Sequence, residues 1–77
     1  MSGEYEYLVS DASILREKPL NAESIMRKAN EAKIYPIAVR VDNLMGQVIL
    51  YFKEPLKDKE KRSLDEFMRA LLKSIVE

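Results

Sequence analysis

Cysteine, histidine and tryptophan are all absent from this chain, and glycine occurs only twice. Without cysteine there are no disulfides, and without cysteine or histidine the usual zinc ligand sets cannot be assembled. A small domain lacking both staples must rely on a well-packed core or on a partner subunit. Absent cysteine also fits a reducing compartment. The N-terminal MSGEYEY has neither the basic start nor the apolar stretch of a secretory signal. The longest unbroken apolar run, Val48–Phe52, is far too short to cross a bilayer. The expectation is therefore a cytoplasmic protein that makes no use of a membrane.

An excess of one charge is missing too. Lysine and arginine number 13 and so do aspartate and glutamate, for a net charge of zero, whereas nucleic-acid-binding domains are usually basic. Glutamine occurs once, as Gln47; Lys/Glu-rich, Gln-poor usage without cysteine leans towards a thermophile. The small size is also compatible with a viral or mobile-element source.

The side chains for common chemistry are missing in turn. Ser2, Ser10, Ser13, Ser24, Ser63 and Ser74 have no histidine or cysteine to activate them, and no motif marks a Ser–Lys pair. Glu4 and Glu6 lie on one face of an extended segment with Asp11 shortly after. General acid/base work needs one carboxyl buried and the other solvated, and these read as a solvated surface. No loop has the ligand spacing of a calcium or magnesium site. Gly3 and Gly46 do not form a phosphate-binding loop ahead of a helix. No catalytic residue, metal or cofactor is expected, and the chain is not expected to be an enzyme.

What is present is pattern. Seventy-seven residues make a single domain with 47% apolar residues, enough for a small core, with residues 1–3 expected as a disordered terminus. Residues 4–10 alternate: Tyr5, Tyr7 and Val9 share one face, Glu6, Leu8 and Ser10 the other, which predicts a strand. Asp11, Ser13 and Pro19 predict a loop over 11–19, with Ile14 and Leu15 free to tuck inward or to extend the first strand. Asn21 is a good N-cap, Glu23 suits the positive end of a helix, and Leu20 can staple to Ile25. Ala22, Ile25, Met26, Ala29 and Ala32 then form one stripe, which predicts a helix over 22–33 limited by Pro36.

Residues 35–42 and 47–53 predict a β-hairpin. Ile37, Val39 and Val41 share a face in the first arm. The second arm is apolar on both faces, with Val48, Leu50 and Phe52 on one side and Ile49 and Tyr51 on the other. Asp42, Asn43 and Gly46 suit the connecting loop, with one residue at positive φ. Beyond Pro55 a long amphipathic helix begins near Asp58. Leu64, Phe67, Met68, Leu71, Leu72, Ile75 and Val76 recur at helical spacing, and Asp58–Arg62, Arg62–Glu66 and Asp65–Arg69 are candidate ion pairs four apart.

The order β-α-β-β-α resembles, in its elements and not in any motif, a ferredoxin-like unit without its last strand. The fold class expected is a small α+β two-layer domain: a three-stranded antiparallel-type sheet with two helices on one face. The other face is then open. An arm that is apolar on both sides must be covered on both, so the leading functional expectation is a protein–protein interaction module, self-associating as a homodimer through a sheet face or edge. Tyr5, Tyr7, Ile49 and Tyr51 are the expected interface residues, and another protein is a possible partner. The alternative is nucleic-acid binding. Residues 53–62 hold five positive and three negative side chains, a net of +2. There Lys53, Lys57, Lys59, Lys61 and Arg62 would meet phosphates while strand tyrosines stack bases.

Overall fold

Alternation, capping and turn chemistry build the expected elements in the expected order in the computed structural model. It describes residues 3–9 and 12–76, with backbone only at 12, 75 and 76. Strand β1 (Gly3–Leu8) leads through a 3-10 turn (Ala12–Arg16) into helix α1 (Ala22–Glu31). Strands β2 (Ala38–Asp42) and β3 (Gln47–Phe52) form the hairpin, and helix α2 (Asp58–Val76) closes the chain. Gly3, expected in the terminus, opens β1. Ser10 and Asp11 lie outside the described residues, as do the Ile75 and Val76 side chains.

The three strands form one sheet in the order β1-β3-β2, antiparallel throughout. Register places Tyr5 opposite Leu50 and Tyr7 opposite Val48, while Val39 and Val41 meet Leu50 and Val48 from the other side. These rows face the helices. Val48, Leu50 and Phe52 join Ile25 of α1 and Leu64, Met68 and Leu71 of α2 in one buried cluster. Leu50, Leu64 and Met68 are wholly buried; each such side chain contributes about 1.5–3 kcal/mol by leaving water. Leu15, on the 3-10 turn, is buried as well, so this side chain tucks inward.

Asn21 caps α1 as expected, its Oδ1 accepting from the backbone N–H of Glu23 at 2.8 Å and of Ser24 at 3.2 Å. The helix stops at Glu31, two residues short of the expected end, and Pro36 is not the cause. Lys33 sits at φ 64°, and its N–H donates to Asn30 O while that of Ile34 donates to Ala29 O. This is the Schellman closure, with a lysine where glycine is usual. The first hairpin arm is also shorter than expected. Tyr35, Pro36 and Ile37 precede β2, and Ile37, expected on the Val39–Val41 face, is 66% exposed.

The hairpin loop carries its positive φ at Gly46. Asp42 Oδ1 accepts from the N–H groups of Leu44 and Met45, a side-chain-built turn. Asn43 reaches back to the entry of α1, its Oδ1 accepting from Leu20 N at 2.8 Å and its Nδ2 donating to Leu20 O at 3.2 Å. At the N-terminus of α2, Glu60 Oε1 accepts from Lys57 N at 3.1 Å, the reciprocal half of a capping box.

Gly3 has a steric reason to be glycine, because a Cβ there would stand 2.5 Å from the carbonyl oxygen of Glu54. Gly3→Ala is expected to lower the unfolding free energy by about 1–3 kcal/mol, measured by urea denaturation. Lys33→Gly is expected to raise it by about 0.5–1 kcal/mol, since glycine adopts the left-handed cap without a Cβ penalty. An unchanged midpoint would show that Lys33 bears no strain.

Candidate interaction surface

Because β3 is central, its two side-chain rows meet different surroundings. The inner row is the core. The outer face is a grid of three cross-strand rows set by the register: Glu4–Tyr51–Ala38, Glu6–Ile49–Arg40 and Leu8–Gln47–Asp42. A central apolar line, Ile49 and Tyr51, is thus flanked by two acidic residues on β1 and by Arg40 and Asp42 on β2. Ile49 and Tyr51 are half-buried by these neighbours. At one corner Leu8 is 63% exposed, and Leu44 and Met45 at the hairpin tip are more exposed still.

The four expected interface residues therefore divide. Ile49 and Tyr51 are on the open face. Tyr5 and Tyr7 are on the helix side, packed against the core cluster, which corrects the expectation that all four share one surface. The reason is binary patterning: the other face of β1 carries Glu4 and Glu6, which cannot enter an apolar core unpaired.

Both tyrosines instead fasten β1 to the α2 side of the molecule. Tyr5 stacks edge-on against Phe52 with ring centroids 5.8 Å apart, and its hydroxyl accepts from Leu56 N at 2.7 Å. The Tyr7 hydroxyl donates to Asp65 Oδ1 at 2.7 Å, and the same oxygen takes Lys61 Nζ at 2.7 Å. Lys61 also lies 5.6 Å and 5.8 Å from the Tyr5 and Tyr7 ring centroids, within cation–π range. Burial and the Asp65 carboxylate push the Tyr7 phenol above its ordinary range. The hydrogen bonds from Lys61 and then from Tyr7 hold the Asp65 carboxyl below its own. Lys61–Asp65 is the one ion pair among the described residues. The pairs expected along the outer face of α2, Asp58–Arg62, Arg62–Glu66 and Asp65–Arg69, do not form there, and Asp65 is turned towards β1.

This cluster also disperses the basic segment. Lys61 is held over the tyrosine rings, Lys53 comes directly after β3, and Lys57, Lys59 and Arg62 are exposed around the first turns of α2. With Tyr5 and Tyr7 inward, only Tyr51 of the strand tyrosines is left on the open face. Among the described residues no three acidic side chains gather as a metal site, and no helix is long and apolar enough to cross a membrane. A cleft of about 320 Å³ lies between Lys33–Tyr35, Phe52, Leu56 and the start of α2; it presents one acid, Glu60, and one base, Lys33, with no convergent polar set. No family model, curated protein or solved structure matches this chain.

Glu6, Leu8 and Arg40 stand on this face, although the sequence pattern did not assign them to an interface. The alternation of β1 puts Glu6 and Leu8 on one face, but which strand lies beside them depends on a sheet order the local pattern does not contain.

Raising the folded pKa of Tyr7 above the unfolded value of about 10 ties stability to alkaline pH. Its contribution is complete below about pH 10 and is lost as pH rises towards the folded value, because the unfolded chain releases its proton first. Tyr7→Phe is expected to cost about 1 kcal/mol at neutral pH and to make the decline above about pH 10 shallower. Parallel slopes for variant and parent in pH-dependent urea melts would exclude the Tyr7–Asp65 bond as its source.

Proposed function

We propose that this chain is a non-enzymatic interaction module of the cytoplasm that self-associates as a symmetric dimer through the open face of its sheet. The observation that carries this is the outer row of β3. Ile49 and Tyr51, with Leu8 at one corner, form an apolar band on the side that no helix covers. A contiguous apolar band rimmed by charge is the usual composition of a contact surface, and tyrosine suits it because it offers area together with a hydrogen-bonding tip.

The face is favoured over the free edge of β1. Alternation of the ladder, starting from Val9 N donating to Gly46 O at 2.7 Å, points the backbone groups of Glu4, Glu6 and Leu8 outward from β1. Two copies pairing along that edge would bring the acidic side chains of both strands together, an arrangement that protects edges against pairing. A cysteine-free chain with no other staple also gains stability from burying such a band against a second copy.

Size-exclusion chromatography with light scattering tests this directly. The parent is expected at twice the monomer mass, with little change between low and high salt if apolar burial dominates. Ile49→Lys combined with Tyr51→Lys is expected to give a folded monomer. A parent that is monomeric throughout the micromolar range would overturn the proposal, and an unchanged dimer in the double variant would remove this face from it.

A further inference from the structure

The charge pattern on the open face selects one way for two copies to stack. Its middle row reads Glu6, Ile49, Arg40 from one edge of the sheet to the other. Among the described residues neither charge has an ion-pair partner, the one pair there being Lys61–Asp65, and Ile49 stands between them. Adjacent strands are about 4.8 Å apart, so the two charges flank the central line at roughly equal distances of that size.

A two-fold axis lying in the interface can run across the strands or along them. If it runs across, β1 stacks on the partner's β1 and β2 on the partner's β2. Glu6 then meets a second Glu6 and Arg40 a second Arg40, two like-charge contacts at the margins of an apolar seam. If it runs along β3, each β1 stacks on the partner's β2. Glu6 of each copy then meets Arg40 of the other, twice by symmetry, while Ile49 meets Ile49 and Tyr51 meets Tyr51 along the axis. In the flanking rows Glu4 of each copy comes over Ala38 of the other, and Leu8 over Asp42 at the start of the other copy's hairpin loop, where Leu44 and Met45 are exposed. Face-to-face sheets pack with strands within about 30° of each other, which either axis satisfies, so the charges decide between the two. Electrostatic complementarity of this kind sets register and excludes the wrong arrangement more than it adds affinity.

We infer that the occupant of the open face is a second copy of this chain, stacked about a two-fold axis parallel to β3, with reciprocal Glu6–Arg40 pairs closing both sides of an Ile49–Tyr51 seam. This rests on the self-association reading above and specifies its geometry.

Glu6→Arg and Arg40→Glu, made in separate chains, provide the test. Each single variant places two like-charge contacts across its own dimer and is expected to raise the dimer dissociation constant about tenfold or more. Mixed in equal amounts, the two chains place opposite charges at both contacts and should recover a heterodimer of about parental strength, read by native mass spectrometry and sedimentation. Glu6→Gln and Arg40→Gln, milder at exposed strand positions, are expected to weaken the dimer less and in the same direction. Single variants no weaker than the parent, the result that the crosswise axis requires, overturn the geometry while a parental dimer leaves the self-association reading intact, and a mixture no tighter than the single variants overturns it too. So does a loss confined to Arg40→Glu with Glu6→Arg unaffected, which would place the contact along the β2 edge. A monomeric parent overturns both.

Discussion

Everything in this fold answers to one constraint: β3 lies between two other strands and is apolar on both of its faces. Hydrogen bonding is not the difficulty, because β1 and β2 satisfy the backbone from either side. The difficulty is water. Two helices gather on one face, and there they bury Val48, Leu50 and Phe52. Ile49 and Tyr51 are left with only the shelter that neighbouring strands give. The distribution of residues on the outer strands reflects that division. Toward the helices β1 and β2 present Tyr5, Tyr7, Val39 and Val41; away from them they present Glu4, Glu6, Arg40 and Asp42. The charge is thus confined to the flanks of the apolar line and leaves the line itself uncovered.

The tyrosines of β1 show how a short edge strand is retained without a neighbour on its outer side. Each ring lies against the core, and each hydroxyl reaches the rim where a polar partner waits, the Leu56 amide for Tyr5 and the Asp65 carboxylate for Tyr7. A phenylalanine would supply the ring but not the rim bond, and a threonine the reverse. Lys61 completes the arrangement by neutralising Asp65 and lying along both rings. A lysine that reads as part of a basic segment is in this setting a packing residue with a charged end.

Element identity and order were legible because each depends on local chemistry: Asn21 as a cap, Gly46 and Asp42 in the hairpin loop, the 3.6 period of α2. The end of α1 was not, since a lysine in the left-handed cap has no signature beyond the absence of a better residue. The facing of β1 was legible in principle, because Glu4 and Glu6 mark the wet side, yet an open sheet face attracts the eye to its tyrosines. Sheet order was the true gap. That β3 and not β2 lies in the centre depends on a non-local pairing, Gly3 with Phe52 through Leu8 with Gln47, and no window of the chain contains both partners. Ile49 and Tyr51 lie on the open face of that sheet, Tyr5 and Tyr7 on the helix side. Glu6 and Arg40 flank Ile49 there, in a relation that exists only across the assembled sheet.

The same non-local pairing sets an order of events in folding. The β2–β3 hairpin closes a loop of a few residues, whereas β1 can reach β3 only after most of the chain has been synthesised and drawn together, and long closures are slow. Until β1 arrives, the flank of β3 that it will occupy is an unpaired ladder of strongly strand-forming residues, the kind of edge that captures other chains. Folding speed and resistance to aggregation thus converge on a single late step, the docking of six residues at the N-terminus, and the Tyr5 and Tyr7 hydroxyl bonds are latches that form only once that step is complete.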